Sequence, residues 1–303
     1  MKGSAGIPAA ANFHINRVCN ERCPYCFATF RDDARLDAVH RGLPLPEAVR
    51  VVNLLADAGI EKLNFAGGEP TLYPGMPHLL RHARGRGLVT SLVTNGARLT
   101  EVLAEAAECI DWVALSIDSA DEDVQRRLGR GNGNYVARSL EHFHQLHRLG
   151  IRTKMNTVVN RLNIGEDMSN FVEASGVERW KIFQALPVDG QNDGRIEDLL
   201  VTQTEFGLYV ERHRHLESKG IMLAPEANED MRGSYAMVDP LGRFFSSLQG
   251  RHHYSRPILE VGVVAAFAEI GFDPQAFERR GGVYPWGRPR QDGPVVPLTI
   301  RGR

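Results

Sequence analysis

A recurring alternation sets the fold class. Six times in the first two thirds of the chain a short apolar or β-branched run gives way to a polar turn and then to an amphipathic stretch. The strand-like runs are Asn12–Asn16, Glu61–Ala66, Leu88–Thr94, Trp112–Ile117, Ile151–Val159 and Arg179–Phe183. Helical patterning covers Pro46–Ala58, Met76–Arg84, Thr100–Glu108, Asn134–Leu149, Glu166–Ala174 and Thr204–Ser218. In the first of these, Val49, Val52, Leu55 and Ala58 share a face, with Pro46 in the opening turn. Gly59, Gly87 and Gly150 sit just before strand runs, where a helix-ending glycine belongs. Repeated β–α units joined by right-handed crossovers make a parallel sheet. Eight would close a barrel. Six predict an α/β fold built as an open, partial (βα)6 barrel.

Residues 1–11 read as an N-terminal segment, 12–222 as the partial barrel and 223–303 as a C-terminal extension covering the active site. The extension is irregular, with one helix expected at Leu259–Ile270. Its last stretch, Arg288–Arg303, holds three prolines and four arginines and is expected to be loosely held. With 36 basic against 37 acidic residues, the chain has no charge excess to coat nucleic acid or an anionic membrane. No apolar run reaches the roughly 18 residues of a membrane helix, and the N-terminal residues do not read as a signal peptide. A cytoplasmic protein is expected, with neither nucleic acid nor membrane as partner, and its four cysteines read as metal or catalytic thiols.

Three of those cysteines lie in Cys19-Asn-Glu-Arg-Cys23-Pro-Tyr-Cys26-Phe27, directly after the first strand run. Thiolates at this spacing on one loop can wrap a single metal centre. The fourth, Cys109, opens an apolar strand at the other end of the sheet and reads as a small hydrophobe. A structural zinc would need four protein ligands, with His14 or His40 as the fourth. A 4Fe–4S cluster held by three cysteines instead leaves one iron open to a small molecule, as a catalytic site requires.

The C-x3-C-x2-C spacing, with an aromatic residue on each side of the third cysteine, resembles the radical S-adenosylmethionine (SAM) superfamily. That resemblance implies a 4Fe–4S cluster on Cys19, Cys23 and Cys26, whose open iron holds SAM. One electron then splits SAM into methionine and a 5′-deoxyadenosyl radical. Gly67-Gly-Glu-Pro70 after the second strand run looks like the superfamily motif for the methionine amino group. Thr94-Asn-Gly96 follows the third run, and Ser116 and Asp118 close the fourth. Each alone is ordinary turn chemistry. Their placement at successive strand C-termini, the functional rim of such barrels, is what counts.

The substrate signal is in the fifth and sixth runs. Alternation puts Arg152, Lys154 and Asn156 on one face of the fifth, and Arg179 and Lys181 on one face of the sixth. A solvated edge strand would explain either alone. Two consecutive barrel strands with cationic lumen positions point to a polyanion, and a phosphate chain fits several cations better than one carboxylate does. No P-loop motif is present, so a nucleotide would be bound by cations at the strand ends.

Longer strings narrow the resemblance. Lys62-Leu-Asn-Phe-Ala-Gly-Gly-Glu-Pro70, Leu128-Gly-Arg-Gly-Asn-Gly133, Lys154-Met-Asn-Thr-Val-Val-Asn-Arg161, Arg179-Trp-Lys-Ile-Phe-Gln184, Pro225-Glu-Ala-Asn228 and Arg280-Gly-Gly-Val-Tyr-Pro-Trp286 are similar to the viperin family, in its prokaryotic form. The likeness runs from about Asn12 to Trp286.

The family resemblance implies a SAM-dependent nucleotide dehydratase (a lyase). The 4′ hydrogen of CTP, UTP or GTP is removed, the 3′ hydroxyl leaves as water, and a second electron quenches the sugar radical. The 3′-deoxy-3′,4′-didehydro product terminates polymerases and serves antiviral defence. Carried over motif by motif, Phe27, Gly67, Gly68, Glu69, Asn95, Ser116 and Arg130 contact SAM. Lys154, Arg179 and Lys181 bind the triphosphate, and Asn12 and Asn156 touch the nucleoside. Lys154 is either a phosphate clamp or the acid for hydroxyl departure, and Tyr235 matches a family tyrosine near the substrate. Base-reading groups are expected around Arg279–Trp286. An electron donor such as flavodoxin or ferredoxin is implied. Two alternatives stand beside this reading: another radical SAM enzyme on a small phosphorylated or purine-derived substrate, and a non-enzymatic iron–sulfur or zinc module.

Overall fold

The structure is a computed structural model, and it describes residues 6–38, 42–282 and 284–286. The stretch Arg288–Arg303, His40 and most of the segment before β1 lie outside the described residues. All six predicted strands are present, and they run on into a single ten-stranded sheet of order β10-β9-β8-β1-β2-β3-β4-β5-β6-β7.

The parallel core consists of β1 (Ala10–His14), β2 (Lys62–Ala66), β3 (Val89–Thr94), β4 (Trp112–Ser116), β5 (Arg152–Val159), β6 (Arg179–Gln184) and β7 (Met222–Glu226). Helices at Leu45–Asp57, Met76–Gly85, Leu99–Ala106, Tyr135–Arg148, Ser169–Ser175 and Gln203–His213 fill the crossovers. The extension does more than cover the site. Its β7 continues the sheet beside β6, while β8 (Met237–Val238) pairs parallel to β1 and carries the antiparallel β9 (Arg243–Ser246) and β10 (His253–Pro257).

Two local readings shift. The first strand ends at His14 rather than Asn16, because the chain there leaves the ladder to cross over the end of β2. The helix expected at Leu259–Ile270 is two short ones, Ile258–Val261 and Val263–Ala268, broken at Gly262, which takes φ +80°.

Strand alternation decides what faces the lumen. Leu63 and Phe65 on β2, Phe13 on β1, Leu92 on β3, Val113 and Leu115 on β4, Met155 on β5 and Trp180 on β6 belong to the apolar core under the helices. The intervening residues line one cavity of about 320 Å³: Asn12 and His14, Lys62 and Asn64, Ser116, Lys154 and Asn156, Arg179 and Lys181. One sheet thus has a greasy outer face and a polar, cationic inner one. No helix among the described residues is long and apolar enough to cross a membrane.

Candidate active site

The rim at the strand C-termini is built by a chain crossing. Asn16–Val18, leading into the cysteines, runs directly over Gly67 and Gly68. The Gly68 amide donates to the Asn16 carbonyl at 2.7 Å and the Glu69 amide to the Val18 carbonyl at 2.7 Å. A Cβ at Gly67 would sit 2.5 Å from Asn16 Oδ1, and one at Gly68 would sit 2.4 Å from the Val18 carbonyl oxygen. The glycines are therefore needed first by the protein's own backbone, and only then by any ligand.

Glu69 is buried below this crossing. Its Oε1 accepts from the Thr71 amide and hydroxyl and from the Thr94 hydroxyl, and its Oε2 accepts, among the described residues, only from the Asn95 amide, at 2.7 Å. A carboxylate offers about four acceptor positions, so Oε2 retains capacity for an ammonium group in the cavity. Burial pushes this carboxyl up, and the four donors work against that.

The cysteine loop is laced to its surroundings. Asn95 Nδ2 donates to Asn20 Oδ1 at 2.9 Å, the Arg22 amide to the Gly129 carbonyl at 3.0 Å and the Gly131 amide to Glu21 Oε2 at 2.8 Å. Between the second and third cysteines, Tyr25 donates its hydroxyl to the buried Asp118, which also pairs with Arg130. Burial alone would lower the Arg130 pKa, but Asp118 together with Cys23, Tyr25 and Tyr135 outweighs it and holds the guanidinium charged.

Cys19, Cys23 and Cys26 all line the cavity. Burial pushes the Cys19 thiol to about 12 and Cys23 to about 11, and raises Cys26, with the neighbouring cysteines adding to the first two. Thiolates in that setting need a compensating cationic centre. Among the described residues no three His, Cys, Asp or Glu side chains form a group that could hold a single metal ion. His14, offered as a zinc ligand, is packed edge-on against Phe27, Phe30 and Phe245. A cluster that gives each cysteine its own iron fits this donor set, and among the described residues a four-ligand zinc does not.

The opposite end of the lumen is a cationic floor. Lys62 and Lys154 are each about 95% buried or more. Both donate to the Tyr284 hydroxyl, Lys62 at 2.6 Å. Arg179 lies 4.2 Å over the Tyr284 ring and Lys154 4.6 Å over Trp112. Tyr284 and Trp286 are strapped there: Trp112 Nε1 donates to the Trp286 carbonyl at 2.8 Å and Arg152 to the Pro285 carbonyl at 3.1 Å. Among the described residues, Lys62, Lys154 and Arg179 have no carboxylate partner. Burial lowers all three, Lys62 to about 7, and Lys62 lowers Lys154 further.

Lys181 is different. It reaches Glu226 at 2.6 Å and donates to the Tyr235 hydroxyl at 2.7 Å, while Tyr235 donates to the same carboxylate. Arg280 stacks 3.6 Å over the Tyr235 ring and lies 3.7 Å from Glu226. Burial would raise the Glu226 carboxyl, but Lys181 and Arg280 outweigh it and hold it below the usual carboxylate range. Asn12 accepts from Asn64 at 2.8 Å, partway up the wall, and Asn156 Oδ1 is buried with no partner.

With rim and floor in place, comparisons with known proteins decide the family. Residues 13–174 match the model of the radical SAM superfamily. The chain is 41% identical over 291 residues to an S-adenosylmethionine-dependent nucleotide dehydratase of Flammeovirga pacifica, covering 94% of this chain and 98% of that one. The chain belongs to the SAM-dependent nucleotide dehydratase family. A second such protein, from Lacinutrix mariniflava, is 42% identical over 92% of this chain, which spans only 59% of that relative's length. The crystal structure of Streptococcus suis SuiB bound to S-adenosylmethionine superimposes with a TM-score of 0.66 at 16% identity, over 91% of this chain and 67% of that one. This last likeness is one of fold.

Every site residue expected of this family member lines the one cavity, including Phe27, Ser116, Asn95 and Tyr235. Cys109 lies apart, at the end of a short turn of helix (Ala107–Cys109) ahead of β4, and is half-buried rather than buried. Three differences from the sequence reading matter. The phosphate-type cations, read from sequence as lying at strand ends, lie toward the N-terminal ends of β2, β5 and β6, on the floor and away from the cysteine rim. Arg130 is occupied by Asp118. The segment expected to read a base, Arg279–Trp286, packs its Tyr284 and Trp286 against the floor cations. Lys62 and Glu226 escaped the sequence reading, as did the pairing of Arg280 with Glu226; Arg280 and Tyr284 lay within the segment expected to read a base. The available signal for Lys62 was its place in the same period-two pattern as Asn64.

Proposed function

We propose that the chain is a radical SAM nucleotide dehydratase acting on a ribonucleoside triphosphate. The observation that carries the substrate class is the floor: three buried cations, Lys62, Lys154 and Arg179, converge without a carboxylate among the described residues. Buried charges persist only with partners, and a triphosphate entering from the rim would supply them. Lys154 is then a phosphate clamp rather than an acid, since its ammonium is bound to Tyr284 among other cations.

Cys19, Cys23 and Cys26 would hold a 4Fe–4S cluster, with SAM at Phe27, Gly67, Gly68, Glu69, Asn95, Ser116 and Arg130. When bound, this pair supplies the carbon radical that takes the 4′ hydrogen. The protein's part is placement. Glu69 Oε2 receives the methionine ammonium, and Asn12 and Asn156 hold the nucleoside between rim and floor. Lys181 and Arg280 keep Glu226 ionised, and Tyr235, which gives its own proton to Glu226 and accepts from Lys181, is held by both at the cavity wall. The product, lacking the 3′ hydroxyl, would stop a polymerase, consistent with antiviral defence in the cytoplasm and an electron donor of the flavodoxin or ferredoxin kind.

The test is anaerobic reconstitution with iron, sulfide, SAM and reductant, followed by competition among the four nucleoside triphosphates. A product lighter by one water, formed with deoxyadenosine, is expected. Deoxyadenosine release with all four triphosphates intact would overturn the substrate assignment.

A further inference from the structure

Among the described residues Phe30 is the one non-glycine residue with a left-handed backbone, at φ 53°. A bulky side chain is strained there, and such strain persists only where the surroundings enforce it. Two demands meet at this residue. Its ring is fully buried, 5.6 Å from His14, 5.3 Å from Phe245 and 5.8 Å from His252 by centroids, so glycine would empty the cage. Its amide lies outside helix and ladder and donates to Gln191 Oε1 at 2.6 Å.

Gln191 belongs to the loop that follows β6. Its Oε1 also accepts from the Thr29 hydroxyl at 3.0 Å. The Phe30 amide fixes which way this side chain points, because the flipped form would set donor against donor. Nε2 is left buried with no hydrogen-bond partner among the described residues, so the side chain is kept for its oxygen. The next residue reaches the other side of the same arm: Asn192 Nδ2 donates to the Tyr25 carbonyl at 3.1 Å. Asn192 is also locked within its own loop, donating to the Leu186 carbonyl at 2.9 Å and accepting from the Val188 amide at 2.9 Å. Both side chains are fully buried. One anchor thus precedes the third cysteine, and the other follows Phe27 at the strained turn.

We propose that Gln191 and Asn192 are positioning residues for the iron–sulfur cluster, holding Cys26 and Phe27 in place for iron and for SAM. The inference rests on the proposed cluster at the three cysteines. A cysteine arm tied only through its backbone would lose much freedom on loading. Two buried side chains from one neighbouring loop remove that freedom beforehand, which is how groups behind the ligands raise metal affinity.

The experiment measures iron release from the reconstituted enzyme to a chelator, without oxygen. Gln191→Met keeps the length of the side chain and removes its oxygen. It should speed release about tenfold and weaken the SAM-induced change in the electron paramagnetic resonance of the reduced cluster, while triphosphate affinity holds. Val210→Ala, a truncation in the apolar core under the helix Gln203–His213, controls for stability alone. It should lower the melting temperature at least as far and release iron at the native rate. Native release from Gln191→Met would overturn the assignment. Equally fast release from Val210→Ala would also overturn it, by making the effect one of stability. Thr29→Val, which removes the second bond to Oε1, carries the same test should Gln191→Met fail to fold: faster release supports the assignment and native release sinks it. A native chain that takes up no four-iron cluster would instead count against the proposed function.

Discussion

The two ends of the lumen are built on opposite principles. At the rim the protein satisfies itself: Glu69 takes four hydrogen bonds, Asp118 is shared by Tyr25 and Arg130, and the Asn16–Val18 crossing is held by backbone amides. At the floor Lys62, Lys154 and Arg179 crowd together around a phenol and aromatic faces, with the Gly281 carbonyl beside Arg179 and no carboxylate partner among the described residues. A preassembled end suits a resident cofactor, whose loop must be shaped before it is loaded. An uncompensated end suits a transient polyanion, whose binding energy comes from charges the free protein leaves unpaired. The same contrast recurs within the cations, because Lys181 has Glu226 and Lys62 has no carboxylate among the described residues.

The harshest test of the rim is Cys26→Ala, which should lose iron–sulfur absorption and all deoxyadenosine release. Retention of either would dissociate the cysteine loop from the chemistry. Next is Gly68→Ala. Its methyl would lie 2.4 Å from a backbone carbonyl that cannot swing away, so the crossing must shift and iron incorporation should fall most of the way to that of Cys26→Ala. Normal iron content in this variant would show that the glycine serves a ligand and not the chain.

The floor should respond in the reverse sense. Lys62→Met removes a buried cation that repels Lys154, so triphosphate affinity should drop about a hundredfold while the melting temperature rises by a few degrees. Lys181→Met strands Glu226 in the interior and should cost about 3 kcal/mol of stability. Equal destabilisation by the two variants, read by thermal melts, would erase the distinction between paired and unpaired cations.

The smallest effect is a proton. The unliganded Lys62 ammonium is depressed to about 7 by burial, and a phosphate beside it raises that value. Between pH 7 and 9 nucleotide binding should therefore take up a fraction of a proton, and affinity should fall as pH rises. Calorimetry in buffers of different ionisation heat checks this, and buffer-independent heats would sink it.

Much of this was legible beforehand. The cysteine spacing marked the rim, and two-residue periodicity in β5 and β6 marked Lys154, Arg179 and Lys181 as a shared inner face. Lys62 was missed because a lysine opening a strand usually snorkels into water. Only the closure of β2 toward β5, with Tyr284 between them, puts it in the interior. The pairing of Glu226 with Arg280 was missed because they lie far apart in a segment without periodic pattern, and their meeting at Tyr235 follows from β7 pairing with β6.

By itself the sequence determined the repeating β–α order, the three-cysteine loop and the cationic face, since these depend on spacing along the chain. Tertiary structure alone decided which cations remain unpaired, that the glycines serve a chain crossing, and that the extension joins both edges of the sheet. Those are matters of distance across the lumen, and a residue's partner there is chosen by the curvature of the sheet, not by its neighbours in sequence.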